Sequence, residues 1–255
     1  MFIDTHCHLS KEYYNDIDKV VEDNKNAGIE KMIISGCEKK DLDETIELIN
    51  KYDFIYATIG YHPDQVELIN DQDLEYLKEL IINNNKIIGI GEIGLDYHYD
   101  KEVKEKQKEL FRKQLKMAEE LKLPVVIHSR DATSDTIEVL REFNVTGIIH
   151  CFSGSLETAN IYIKMGYKLG IGGVLTFKNS KLSEVIENVG LENIVLETDS
   201  PYLAPEPFRG KQNSSKYIPY IAEAIAKIKN ISVAEVSRIT LENTNSLFDL
   251  NKYMW

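Results

Sequence analysis

The 255-residue sequence has little cysteine, little proline and no long apolar run. Its three cysteines, Cys7, Cys37 and Cys151, are odd in number and far apart. That argues against a disulfide scaffold and fits a reducing cytosol, with each thiol read as a small buried hydrophobe. No stretch approaches the roughly 20 apolar residues of a membrane span. The first residues lack the basic region and apolar stretch of a secretory signal. A cytoplasmic protein with no membrane partner is expected. A surplus of positive charge is missing too: 42 acidic against 30 basic residues leave a net charge of −12. This argues against a broad basic face for duplex nucleic acid. It leaves room for a nuclease, because bound dications make a site locally positive inside an acidic envelope. No composition shift, repeat or low-complexity segment marks a second domain, so residues 1–255 read as one domain large enough for a sizeable core.

What is present starts at the first eight residues, MFIDTHCH. In a β-strand successive side chains alternate faces, so His6 and His8 point one way and Cys7 the other. Two imidazoles on one face at a strand end make half a metal site.

The rest of the chain alternates strand and helix patterns. Strands are expected at Glu30–Ser35, Phe54–Ile59, Lys86–Ile90, Pro124–Ile127, Thr146–Ile149, Tyr167–Ile171 and Asn193–Leu196, besides the first. Helices are expected at Glu12–Asn26, Asp41–Asn50 with Asp41 as N-cap, Asp71–Asn83, Lys101–Leu121, Asp131–Glu142, Ser155–Lys164, Leu182–Asn188, Ser214–Lys229 and Val233–Phe248. Eight short apolar strands separated by helices call for a parallel sheet buried on both faces, and so for a single-domain (β/α)8 TIM barrel. The proline-rich stretch Pro201 to Pro207 follows the eighth strand and reads as a substrate loop rather than a domain boundary.

His6, His8, Glu92, His128, His150 and Asp199 fall at or just past strand ends. In such a barrel those ends share the C-terminal rim, which carries the active site. Four histidines and two carboxylates suit a pair of divalent ions with one carboxylate bridging, able to hold a hydroxide for a displacement. Structural zinc sites cluster Cys and His at short spacings, which this set does not do.

The chain resembles the TatD family of metal-dependent hydrolases. The likeness rests on Phe2 to Leu9 (FIDTHCHL), Gly60 to Pro63 (GYHP), Gly89 to Tyr97 (GIGEIGLDY), Pro124 to Asp131 (PVVIHSRD), His150 to Gly154 (HCFSG) and Glu197 to Pro205 (ETDSPYLAP), with Arg209-Gly210-Lys211. The resemblance implies hydrolysis of phosphodiester bonds at DNA ends or single strands, exodeoxyribonuclease-like, with two divalent ions (Mg, Mn, Zn or Ni) as cofactors. No obligate protein partner is evident in the sequence. One departure stands out: after Arg-Gly-Lys the family continues Arg-Asn-Glu-Pro, and here the chain reads Gln212-Asn213-Ser214-Ser215.

Chemistry and resemblance together imply roles. His6 and His8 bind one ion with Asp199, His128 and His150 bind the other, and Glu92 bridges. Asp199 is the proton acceptor for the attacking water. Arg130, Arg209 and Lys211 suit phosphate, Arg130 through its planar fork, unless it is held in a salt bridge to Asp131 or a helix acid instead. His62 is a phosphate contact, a support for a ligand, or purely structural. Ser153 contacts phosphate or caps a helix. Asp4 braces a ligand histidine, Asp96 serves substrate or a turn, and His98 packs on the rim. Two other readings stay open. One is a metal-dependent amide or ester hydrolase such as a D-aminoacyl-tRNA deacylase. The other is a non-catalytic, metal-stabilised binding protein.

Overall fold

A computed structural model describes residues 1–98 and 102–250. Among them, eight parallel strands lie in one sheet in the order β1 to β8. They are β1 Phe2–Cys7, β2 Ile29–Gly36, β3 Ile55–Ile59, β4 Ile87–Asp96, β5 Val125–Arg130, β6 Gly147–Ile149, β7 Lys168–Ile171 and β8 Ile194–Leu196. Between successive strands run α1 Ile17–Asn26, α2 Leu42–Lys51, α3 Asp71–Asn83, α4 Lys104–Leu121, α5 Thr133–Leu140, α6 Leu156–Lys164 and α7 Leu182–Asn188. After β8 come α8 Ile218–Lys229 and α9 Val233–Phe248. This is the (β/α)8 barrel class expected from the alternation. No helix among the described residues is long and apolar enough to cross a membrane. The expected helix start at Lys101 lies outside the described residues.

The chain divides into two compact units, one of Met1–Ile34 with everything from His150 on, the other of Ser35–Ile149. In the first, β1 pairs with β2 and β7 with β8. Their apolar residues, such as Ile3, Ile33, Leu169 and Val195, are buried. α1 starts at Ile17 rather than Glu12 because the Asp16 side chain accepts the Lys19 N–H and caps it there. α8 starts at Ile218, after a short 3-10 turn over Ser215–Tyr217.

In the second unit β3, β4, β5 and β6 pair in sequence. The expected fourth strand ended at Ile90, but β4 continues to Asp96, every residue buried. The glycines there allow backbones to approach closely rather than end the strand. A Cβ on Gly91 would lie 2.6 Å from the Val126 Cβ, and one on Gly94, at φ +147, would lie 2.0 Å from the His128 carbonyl oxygen. Asp41 stands at the N-cap position of α2, yet its carboxylate makes no cap bond. It accepts the N–H groups of Cys37 and Glu38 instead, closing the loop after β2.

Helix α4 positions the strand ends of this unit. Gln107 and Gln114, seven residues apart, share one buried face. The Gln114 amide accepts from Tyr61 N at 2.7 Å and donates to Tyr61 O at 3.0 Å. The Gln107 amide does the same for Asp96, at 2.9 Å each way. Buried backbone that would otherwise lack partners is satisfied at the two places that present His62 and Asp96.

Candidate functional site

In the first unit the chain brings His6, His8, His150 and Asp199 together. His6 lies inside β1, His8 just past it, His150 just past β6 and Asp199 past β8. The backbone ties them: Asp199 N donates to His6 O at 3.0 Å, and His8 N to Ser200 O at 2.7 Å. Asp199 Oδ1 is 3.6 Å from His6 Nε2 and 3.5 Å from His8 Nε2. The ring centroids of His6 and His150 are 4.2 Å apart. Asp199 takes a left-handed backbone at φ 55, which turns its carboxylate toward these rings. Burial pushes the Asp199 carboxyl up, but the His8 hydrogen bond and the charges of His150 and His6 outweigh it and hold it below the usual carboxylate range. His6, His150 and Asp199 each offer a ligand atom within 4.8 Å of the others. Imidazole and carboxylate donors at that spacing fit a divalent transition ion.

Two buried carboxylates support this cluster. Asp4 braces His6 through its backbone N–H, at 3.3 Å, rather than through a ring. It also accepts the Thr198 N–H at 3.1 Å and the Thr198 hydroxyl at 2.6 Å, because that residue faces it across the unit. Burial pushes the Asp4 carboxyl up to about 7, against the lowering pull of the Thr198 and Ser215 hydroxyls. Glu197, fully buried, accepts the Cys151 N–H at 2.5 Å and lies 3.6 Å from His150 Nδ1. Sequence reasoning gave it no role, although it shares strand parity with Asp199.

In the second unit His62, Glu92, Asp96 and His128 converge. His128 Nδ1 is 2.7 Å from Glu92 Oε1, and His128 Nε2 is 3.2 Å from Asp96 Oδ2. The His62 Nδ1 accepts the Asp64 N–H and caps a 3-10 turn, while its Nε2 lies 3.8 Å from Glu92 Oε1. His62, Asp96 and His128 form a second group with ligand atoms within 4.8 Å of one another. Burial pushes the Asp96 carboxyl up, but hydrogen bonds from His128 and the His98 N–H hold it below the usual range. The sequence does not show Asp96 beside His128, because the apolar run that marks the fourth strand ends at Ile90 while β4 continues to Asp96. Once β4 runs through, Glu92, Gly94 and Asp96 share one face.

The remaining candidates lie farther out. Arg130 ends β5, exposed, and its charge reaches Asp96. Asp131 contacts His98 Nδ1 at 3.0 Å. His98 itself is half-exposed. Ser153 is exposed and does not cap α6; Ser155 does, accepting from Thr158 N. The Arg209 guanidinium lies 3.6 Å over the Phe177 ring, beside a cavity of about 320 Å³ also lined by Lys178 and Glu206. Lys211 Nζ lies 5.9 Å from the Phe208 ring centre.

Comparison with known proteins finds relatives along nearly the whole chain. The profile of the family described as TatD related DNase matches residues 3–249. A metal-dependent hydrolase of uncharacterised activity from Bacillus subtilis, YabD, is 43% identical over 98% of this chain and 100% of its own length. Among solved structures, the TatD homolog YjjV of Escherichia coli is 31% identical, with a TM-score of 0.92 over 97% of this chain and 98% of that one. A TatD-family hydrolase from Entamoeba histolytica is 26% identical, with a TM-score of 0.86 over 97% of each.

Proposed function

The chain belongs to the TatD related DNase family of metal-dependent hydrolases, and from that premise we propose that it is a nuclease that hydrolyses phosphodiester bonds at DNA ends or in single strands. The observation that carries the reading is the convergence of His6, His150 and Asp199 at strand ends, with ligand atoms within 4.8 Å. We assign one divalent ion to that group, assisted by His8, and a second to the group around His128. Bound there, such ions would polarise a phosphoryl oxygen and acidify water.

The protein's own groups do the rest. Asp199, kept ionised by the surrounding imidazoles, accepts the proton of the attacking water at a carboxylate oxygen. Asp4 and Glu197 hold the backbone of His6 and of the residue after His150, so that both rings keep their places. Glu92 holds His128 from the Nδ1 side. Arg130, at the end of β5, meets a phosphate oxygen with its planar fork.

The test is hydrolysis of end-labelled single- and double-stranded DNA with Mg²⁺, Mn²⁺, Zn²⁺ or Ni²⁺, beside an Asp199→Asn variant. Release of labelled nucleotides by the wild type alone supports the reading. Turnover of a D-aminoacyl-tRNA without any DNA cleavage would replace it with the ester-hydrolase reading.

A further inference from the structure

Next to the first ligand group stands an aromatic pair that the metal chemistry does not use. Tyr202 follows Asp199 by three residues, and half of it is exposed (50%). Its ring lies 6.2 Å from the His8 ring and 5.9 Å from the Tyr13 ring, edge-on to both. The Tyr202 hydroxyl donates to the Tyr13 hydroxyl at 3.2 Å. A large ring left in water beside ligand residues calls for an explanation, since aromatic burial is among the stronger sources of stability.

The ring also sits on a braced segment. Tyr202 N donates to Asp199 O at 2.9 Å, and the buried Asn213 amide donates to Tyr202 O at 2.6 Å and to Thr198 O at 2.8 Å. On the other side, Gln212 Nε2 donates to Tyr13 O at 2.6 Å. The two residues that hold the pair, Gln212 and Asn213, are neighbours in one loop, so a single short segment fixes both tyrosines. An exposed aromatic ring on a rigid backbone loses little freedom when a flat partner covers it.

We propose that Tyr202, backed by Tyr13, is a stacking platform for an unpaired nucleobase next to the bond being cleaved. The proposal rests on the nuclease reading above and names what that site recognises: a single-stranded or frayed nucleotide, bound through its ring face and largely without regard to base identity. A flat aromatic face suits this occupant because every base has a π-face, and a paired, stacked base inside a duplex cannot present one. In an acidic protein such stacking also supplies affinity that charge does not.

The experiment compares two fluorescent, phosphorothioate-linked single strands of equal length and charge, an oligodeoxythymidylate and the same chain without bases. Each is titrated with Mn²⁺-loaded protein and followed by anisotropy. The wild type is expected to prefer the base-bearing strand by roughly 5- to 150-fold, the worth of one stacked base. Tyr202→Ala should bring that ratio toward one, and Tyr202→Phe should keep it. A wild-type ratio near one, or a ratio that survives Tyr202→Ala, overturns the platform even if ordinary DNA is hydrolysed. A preserved ratio that depends on Tyr202, in a protein that hydrolyses no DNA, upholds the platform and removes the nuclease reading instead.

Discussion

The carboxylate of Asp96 and the imidazole of His128 meet at 3.2 Å, Oδ2 to Nε2, while Glu92 stands 2.7 Å from the other ring nitrogen. His128 is thus gripped at both nitrogens. The grip starts in the backbone: Gln107 fixes the main chain of Asp96, and the His98 N–H fills its second oxygen at 2.8 Å. An ion that binds this ring takes the place of one of the two carboxylate contacts, and the other then holds the ring in position.

Asp96→Asn, which neutralises a carboxylate of the His62, Asp96 and His128 group, should therefore weaken binding of one divalent ion by about 10- to 100-fold. Isothermal titration of the metal-free protein with Zn²⁺ or Mn²⁺ measures it. Affinity within twofold of wild type at every site would contradict the role given to Asp96.

Gly94→Ala should destabilise the metal-free protein by about 3 kcal/mol or more, since it combines backbone strain with overpacking. A Cβ there meets the His128 carbonyl oxygen at 2.0 Å, on a backbone at φ +147. Urea unfolding reads the loss, and an unchanged midpoint would show that β4 and β5 are not packed as described.

Thiol reactivity should separate the three cysteines. Burial pushes the Cys7 and Cys37 thiols well above their ordinary range, so neither supplies thiolate at neutral pH. Cys151 is only half-buried. Native protein treated with iodoacetamide at pH 8 should take up label at Cys151 alone, as peptide mass spectrometry would report. Fast labelling of Cys7 would mean that it does not face away from the His6 side of β1.

Affinity for single strands should depend only weakly on salt. With Arg130, Arg209 and Lys211 as the phosphate contacts, the slope of log K against log salt should be about −2, from about −0.7 per phosphate. A slope steeper than about −4 would mean that the acidic envelope hides a broader cationic surface.

The sequence shows the strand–helix order because each strand is a short apolar run and each helix keeps its amphipathic period. It also shows the histidines and carboxylates that converge, because they stand where those runs end. It does not show the length of β4, since Gly91 and Gly94 look like strand terminators until the neighbouring backbone is seen against them. That one boundary hides the contact between Asp96 and His128. The Asp41 carboxylate closes the turn just before it instead of capping its helix, and the Asp4 carboxylate binds the Thr198 N–H, which only the folded chain brings near. The Tyr13–Tyr202 pair spans 189 positions of sequence, a distance over which no local pattern operates.

The measurement that bears most directly on the account compares a linear single-stranded DNA with its covalently closed circle, in Mn²⁺, for the wild type and Asp199→Asn. The account predicts that the linear strand is shortened from an end and the circle persists. It also predicts that Asp199→Asn slows the reaction by about 10²- to 10⁴-fold, the scale of a lost proton acceptor. Equal rates on circle and line would remove the requirement for an end. No hydrolysis of either, with Mg²⁺, Zn²⁺ and Ni²⁺ tried as well, would contradict the nuclease assignment itself.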